Sequence, residues 1–176
     1  MPTFTYPEAG ATRGLLRPTG TAATTASQLP AGYRHLRYRV RLRPESFAVA
    51  AEAVLTWRMH RTAGVRVTAS GPRAEPGVLV VVRLGAGPLQ VQAPCTVVWA
   101  SIQADRAGFA YGTMPGHPAS GEEAFLVERH DDEVWFSVVA FSRPASTVMR
   151  LAGPLAAVAQ RRYARRLARA LTRLTR

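Results

Sequence analysis

"GPLAAVAQRRYARRLARALTRLTR", residues 153–176, decides the fold. Leu155, Ala159, Tyr163, Leu167, Ala170 and Leu174 recur at three-and-four spacing, while Arg162, Arg165, Arg166, Arg169, Arg173 and Arg176 form an opposing stripe. That period predicts one long amphipathic helix. Gly153–Pro154 is expected to divide residues 144–176 into a short first helix and this long second one. A helix of this kind needs an apolar surface to lie on, and the rest of the chain has to supply it.

The preceding residues supply strands. Short runs at about 65–70, 77–84, 89–104, 107–113, 122–130 and 133–141 are separated by turn residues, with "ERHDDEV" as a polar hairpin. Pro94 interrupts the 89–104 run, which predicts two strands or one with a bulge. "RHLRYRVRLR" at 34–43 alternates strictly, so His35, Arg37, Arg39, Arg41 and Arg43 make a wet basic face opposite Leu36, Tyr38, Val40 and Leu42. Residues 44–61 change to helical period. Pro44 and Glu45 suit the first turn, and Gly64 suits the end. Residues 1–32, rich in Ala, Thr, Gly and Pro, read as an irregular, partly mobile N-terminal arm belonging to the domain. Residues 33–176 read as one domain. The order is strand, helix, a meander of strands and a long helix. It predicts an α+β fold in which a curved antiparallel sheet wraps around the C-terminal helix, an order that resembles the helix-grip architecture of START-like proteins. A cavity between sheet and helix is an expectation of that architecture, and the architecture alone specifies no chemistry.

At 176 residues the chain is long enough for a substantial core, and 47% of it is apolar. No apolar run reaches the roughly 18 residues that would span a bilayer. The N-terminus lacks a basic-then-apolar leader, and Cys95 is the only cysteine. Those features lead us to expect a cytoplasmic bacterial protein with no disulfide, no metal site and no cofactor. The formal net charge is +12, and all 23 basic residues are arginine. A GC-rich genome explains the choice of arginine over lysine, but not the excess of positive charge.

"GFAYGTMPGHPASGEEAF", residues 108–125, is the densest motif. Together with "FTYPEAGAT" (4–12), "LPAGY" (29–33), "LTWRMH" (55–60), "FSRP" (141–144) and "LAGPLAAVAQRRY" (151–163), it resembles the family called domain of unknown function nineteen-ninety over nearly the whole chain. The departure is "RLRPESF" at 41–47, where family members carry a Gly-containing turn. The resemblance implies one START-like domain and brings no catalytic residues.

Within the motif, Gly108, Ala110 and Gly112 share one strand face, and Phe109, Tyr111 and Thr113 the other. The small-residue face is expected to receive a packed helix or to form a cavity wall. The loop glycines Gly116 and Gly121 are candidates for positive φ, and the loop is expected to close one end of the cavity. His117 is a candidate general base, or else it pins its own loop. Glu122 and Glu123 alternate across the next strand, so one must face the core. Glu123 is the expected lock, accepting hydrogen bonds from the loop backbone or pairing with an arginine such as Arg143, with Arg58 the other arginine candidate.

Three functions remain open. The first is a binding module for a small hydrophobic or amphipathic ligand, lined by Trp57, Trp99, Phe109, Tyr111, His117, Glu123 and Arg143. The second is an enzyme using His117 with Glu122 or Glu123 for acid–base chemistry. The third is contact with an anionic surface, such as phosphate, a peripheral membrane or nucleic acid, through the C-terminal arginines. Nucleic acid is the least favoured of these, because no aromatics interleave the stripe. The bland reading of the stripe is a solvated face partly neutralised by the acids at 122–133. No nucleophile elbow, zinc signature, dinucleotide fingerprint or P-loop is present.

Overall fold

A computed structural model of the protein describes residues 3–16, 29–85, 90–146 and 153–176. Strand β1 (Arg34–Leu42) leads through a 3-10 turn at Pro44–Ser46 into helices α1 (Phe47–Leu55) and α2 (Arg58–Thr62). Then follow β2 (Arg66–Ala69), β3 (Leu79–Leu84), β4 (Val91–Ile102), β5 (Arg106–Thr113), β6 (Ala119–His130), β7 (Glu133–Pro144) and α3 (Gly153–Leu174). The strands form one seven-stranded sheet in the order β1-β7-β6-β5-β4-β3-β2, antiparallel at every pairing. The short helices therefore carry the chain from one sheet edge to the other, and the meander returns it. The helix-grip arrangement expected from the element order is the one observed.

β1 keeps its period of two. Leu42 is buried and Leu36, Tyr38 and Val40 are partly so, while Arg37, Arg39 and Arg41 are exposed. The helix expected over 44–61 is broken. Trp57 adopts a left-handed backbone (φ 65°), and its indole is wholly buried with Nε1 donating to the Gly71 carbonyl at 3.2 Å. A non-glycine residue there costs roughly 1–3 kcal/mol, which burial of the indole offsets. The break turns Trp57, Met59 and His60 into the core together.

β4 is a single strand. Its register against β5 shifts between Val97 and Trp99, a bulge. One extra residue flips everything beyond it to the other face of the sheet. Cys95 and Val97 thus face the helices, but Trp99 faces away.

Both faces of the sheet are covered. Against the concave face, α3 buries Ala164, Leu167, Ala168, Ala170 and Leu171. The expected face beginning at Leu155 and Ala159 is corrected: Leu155 is 74% exposed and Ala159 is exposed too. The first two turns of α3 overhang a cavity instead of resting on the sheet. The short helix expected before Gly153 falls on residues 147–152, outside the described residues.

On the convex face a second cluster joins Tyr6, Leu29, Trp99, Ala110, Ala124, Leu126, Val139 and Phe141. Its cover is the arm, which carries a 3-10 turn at Ala11–Leu16. Arg162, Arg165, Arg166, Arg169, Arg173 and Arg176 are all exposed. Among the described residues, no ion pair joins them to the acids of the β6–β7 hairpin. Glu133 pairs with Arg41 and Glu128 with Arg106, each at 2.9 Å.

Candidate functional site

β5 and β6 set the geometry. Their pairing places Tyr111 opposite Glu123 and Phe109 opposite Phe125, all toward the helices, and leaves Gly112 opposite Glu122 on the convex side. A Cβ at Gly112 would overlap the Tyr6 hydroxyl and crowd the Phe4 ring. The small-residue face therefore receives neither a helix nor a ligand. It receives the arm, whose Thr5 N–H donates to the Thr113 carbonyl at 3.1 Å. Gly121 takes φ 152° where β6 crosses β7, so close that a Cβ would overlap the Phe141 carbonyl.

The two glutamates have separate fates. Glu122 is 2% exposed and fully engaged by the arm. Oε2 accepts from the Tyr6 hydroxyl (2.8 Å) and the Gly10 N–H (2.7 Å), and Oε1 from the Thr12 N–H (3.0 Å) and the Thr12 hydroxyl. The Trp99 indole N–H donates to the same Thr12 Oγ1 at 2.9 Å. Burial, with the Glu122 carboxylate beside it, pushes the Tyr6 phenol well up from its ordinary value. The lock is thus Glu122 with the arm, not Glu123 with an arginine. Arg143 instead lies over the Tyr33 ring at 4.9 Å.

Glu123 stands at the floor of a cavity of about 470 Å³ between the concave face and the start of α3. Val82, Leu84, Ala93 and Ala140 form aliphatic walls, and Gln160 and Tyr163 descend from α3. The Tyr111 hydroxyl donates to Glu123 Oε2 at 2.9 Å, and the Tyr163 hydroxyl lies 3.5 Å from that of Tyr111. Glu123 Oε1 is closed off from solvent and has no hydrogen-bond partner. Burial raises the Glu123 carboxyl to about 7, against a smaller opposing effect of the Tyr111 bond. Burial, and then the nearby Glu123 charge, raise both phenols and the Cys95 thiol.

Of the residues expected to line a ligand, Tyr111, His117, Glu123 and Arg143 line this cavity. Trp57 and Phe109 lie in the packed core, ring to ring at 5.1 Å, and the bulge puts Trp99 on the opposite face. His117 is not brought together with a carboxylate. The Ala119 N–H donates to its Nδ1 at 2.9 Å, and its own N–H reaches the Met114 carbonyl at 3.0 Å, so it pins its loop. Burial lowers its pKa to about 4. The acid–base pairing of His117 with Glu122 or Glu123 is therefore not formed.

Sequence reasoning missed Tyr163, Cys95 and His60. Tyr163 carried a signal, since a phenol on a Leu/Ala helix face needs a polar partner. His60 is 1% exposed and wedged against Phe125 (ring centres 5.1 Å apart), with neither ring nitrogen bonded. Burial, and then Arg61, hold it neutral, at about 3.

The arm from Thr5, the sheet and α3 as far as Ala170 fall within one family match. Residues 5–170 match the family described as Domain of unknown function (DUF1990). The chain belongs to this family. It is 50% identical over 78 residues to a UPF0548 protein of Deinococcus radiodurans, covering 44% of this chain and 39% of that one. It is 37% identical over 59 residues to a UPF0548 protein of Arabidopsis thaliana, covering 33% and 29%. These matches thus span less than two-fifths of either relative's length.

Among solved structures, the fold is similar to hypothetical protein jhp0584 of Helicobacter pylori (TM-score 0.67, 9% identity, 81% of this chain and 88% of that one). It is also similar to major latex-like protein 151 of Panax ginseng (TM-score 0.58, 10% identity, 81% and 97%). At such identities the likeness shows the fold alone: a START-like helix grip. Among the described residues, no helix is long and apolar enough to cross a membrane.

Proposed function

We propose that this member of the family is a binding module for a small hydrophobic or amphipathic molecule held between the sheet and α3. The observation that carries the reading is the cavity itself: aliphatic walls around a floor where one carboxylate oxygen has no partner. A buried polar atom in that state is costly unless something supplies the missing bond. The cytoplasmic setting belongs to the same reading, with Cys95 a free, buried thiol. Native mass spectrometry of protein purified from its own host should show added small-molecule mass. Titration with the apolar dye 1-anilinonaphthalene-8-sulfonate should saturate. Ala157→Trp, at a cavity-lining position on the exposed start of α3, should abolish dye binding without unfolding the protein. Absence of both signals in the native protein would overturn the reading.

A second reading, contact with an anionic lipid surface, has one specific observation behind it. At 3.6 residues per turn, Leu155 and Val158 lie on the same outward side of α3 as Arg162, Arg165, Arg169 and Arg173. They are 74% and 50% exposed. Each arginine near such a surface is worth about 1 kcal/mol. Co-sedimentation with phosphatidylglycerol vesicles, but not with phosphatidylcholine ones, is the expected result. Binding to neither sinks this reading and leaves the cavity untouched.

A further inference from the structure

We propose that the cavity takes an organic amine, with the ligand's ammonium group seated against the Glu123 carboxyl that lines it. The inference rests on the reading that the cavity binds a ligand, and it names that ligand's chemical class. It starts from the charges around the floor. Four groups from three elements surround the Glu123 carboxyl or its phenol partner: Tyr111 from β5, Cys95 from β4 and, from α3, Tyr163 with Gln160 above it. From β7 come Ala140 and Ser142. Behind Tyr111 stands His60 of α2, ring centres 6.4 Å apart, which burial holds neutral. Arg34 of β1 and Arg143 of β7 also line the cavity, but they are exposed residues, and the Arg143 guanidinium is turned onto Tyr33. Among the described residues, nothing at the floor carries a positive charge.

That distribution selects the ligand's head group. A carboxylate or phosphate head would approach Glu123 like-charged and meet no cation there. A hydroxyl could donate to the carboxylate but would leave it without a counter-charge. An ammonium supplies both the donor and the charge, and charge-assisted bonds are about twice as strong as neutral ones. The aliphatic walls then accept the hydrocarbon body. Seating the ammonium favours the ionised carboxyl, so binding displaces a proton wherever Glu123 is protonated beforehand.

The test is calorimetric titration of the full chain with n-octylamine, n-octanol and n-octanoate, which share a tail and differ in head. At pH 8 octylamine should bind at least about tenfold tighter than octanol, and octanoate should be weakest. Glu123→Gln should bring octylamine down to the level of octanol, and octylamine should lose far more affinity than octanol does. In the native protein, octylamine affinity should fall about tenfold per pH unit below the Glu123 titration near 7, between pH 6 and 5, with octanol flat. The pH profile needs no variant, so a folding defect in Glu123→Gln cannot mask the answer. Equal affinity for octanol and octylamine, or an amine preference that survives Glu123→Gln, overturns the inference while the cavity reading stands. If none of the three binds and the dye does not bind either, the cavity reading itself falls.

Discussion

Glu122 and Glu123 are neighbours on one strand, with opposite surroundings. Glu122 points to the convex face and accepts four hydrogen bonds from three arm residues. Glu123 points to the concave face and accepts one, from Tyr111, with its second oxygen bare. A buried carboxylate with every lone pair occupied is a structural fastener. One left half-occupied beside a cavity has capacity for a further donor, which the proposed ligand would supply. The difference comes from pleating alone: successive side chains leave a strand on opposite faces, and here both faces are covered.

The sharpest way to break the comparison is Glu122→Ala. It strands the Tyr6 and Thr12 hydroxyls and the Gly10 and Thr12 amides. We expect a loss of about 3–5 kcal/mol, less whatever the arm recovers by lifting into water. Denaturant unfolding should report the loss, and limited proteolysis should cut the arm before the sheet. If Glu122→Ala costs no more than Glu123→Ala, the two carboxylates are not divided as described.

The next effect is acid sensitivity, and it belongs to the concave side and its loop. His60 and His117 are held at about 3 and 4 in the folded chain, below the ordinary 6.5. The unfolded chain then binds more protons between pH 6.5 and about 4, so stability falls as pH drops through that window. Glu123 works the other way. Raised from 4.5 to about 7, it makes folding less favourable as pH rises between those values. Two histidines outweigh one carboxyl, so the net loss on acidification should be on the order of a few kcal/mol. Melting temperatures from pH 7 to 4 measure it, and His60→Phe should remove most of the decline, because His117 and Glu123 then nearly cancel. A melt that is flat down to pH 4 would show that His60 takes up protons without unfolding.

Smaller, and opposite in sign to the Glu122 effect, is Glu123→Gln. At pH 8 the variant removes a charge that the cavity leaves unpaired, so it should be more stable than the native chain by about 1–3 kcal/mol. At pH 5, where Glu123 is already protonated, the two should melt together. Stabilisation that persists unchanged at pH 5 would mean that packing, not ionisation, separates them.

The fold was legible where the sequence is periodic. The alternation of β1, the meander and the arginine stripe of α3 each report a one-residue geometry, and those elements lie within a few residues of expectation. Four features were not legible, for identifiable reasons. The bulge after Val97 leaves the run 95–100 looking uniform, yet it decides that Trp99 faces away from the cavity. The break at Trp57 depends on tertiary burial of the indole, which local period does not encode. The face of α3 lies about a quarter-turn from the expected one because Leu155 is exposed and Ala159 lines a cavity, so apolar character there does not mark contact with the sheet. The lock was assigned to the wrong glutamate because the arm, low in periodicity, gives no sign that Tyr6 and Thr12 reach across the convex face. The composition did lead to an arginine as the partner; neutral donors filled that role instead.

The smallest expected effect bears on the acid–base alternative. His117 lines the cavity, so it looks available for chemistry, but its bonds say otherwise: Nδ1 is occupied by the Ala119 amide two residues on. His117→Ala removes one acceptor from a half-buried amide that water can reach, so the cost should be about 0.5–1 kcal/mol. Octylamine affinity at pH 8 should stay within about twofold of native, since on this view the ligand's head is held at Glu123. The same variant should lose part of the acid sensitivity, because His117 no longer contributes between pH 6.5 and 4. The combination is diagnostic. A small loss of stability with unchanged affinity makes His117 a pin for the loop over residues 114–118. A large loss of affinity with unchanged stability would return it to the binding site and bring the cavity's chemistry up from Glu123 to the loop.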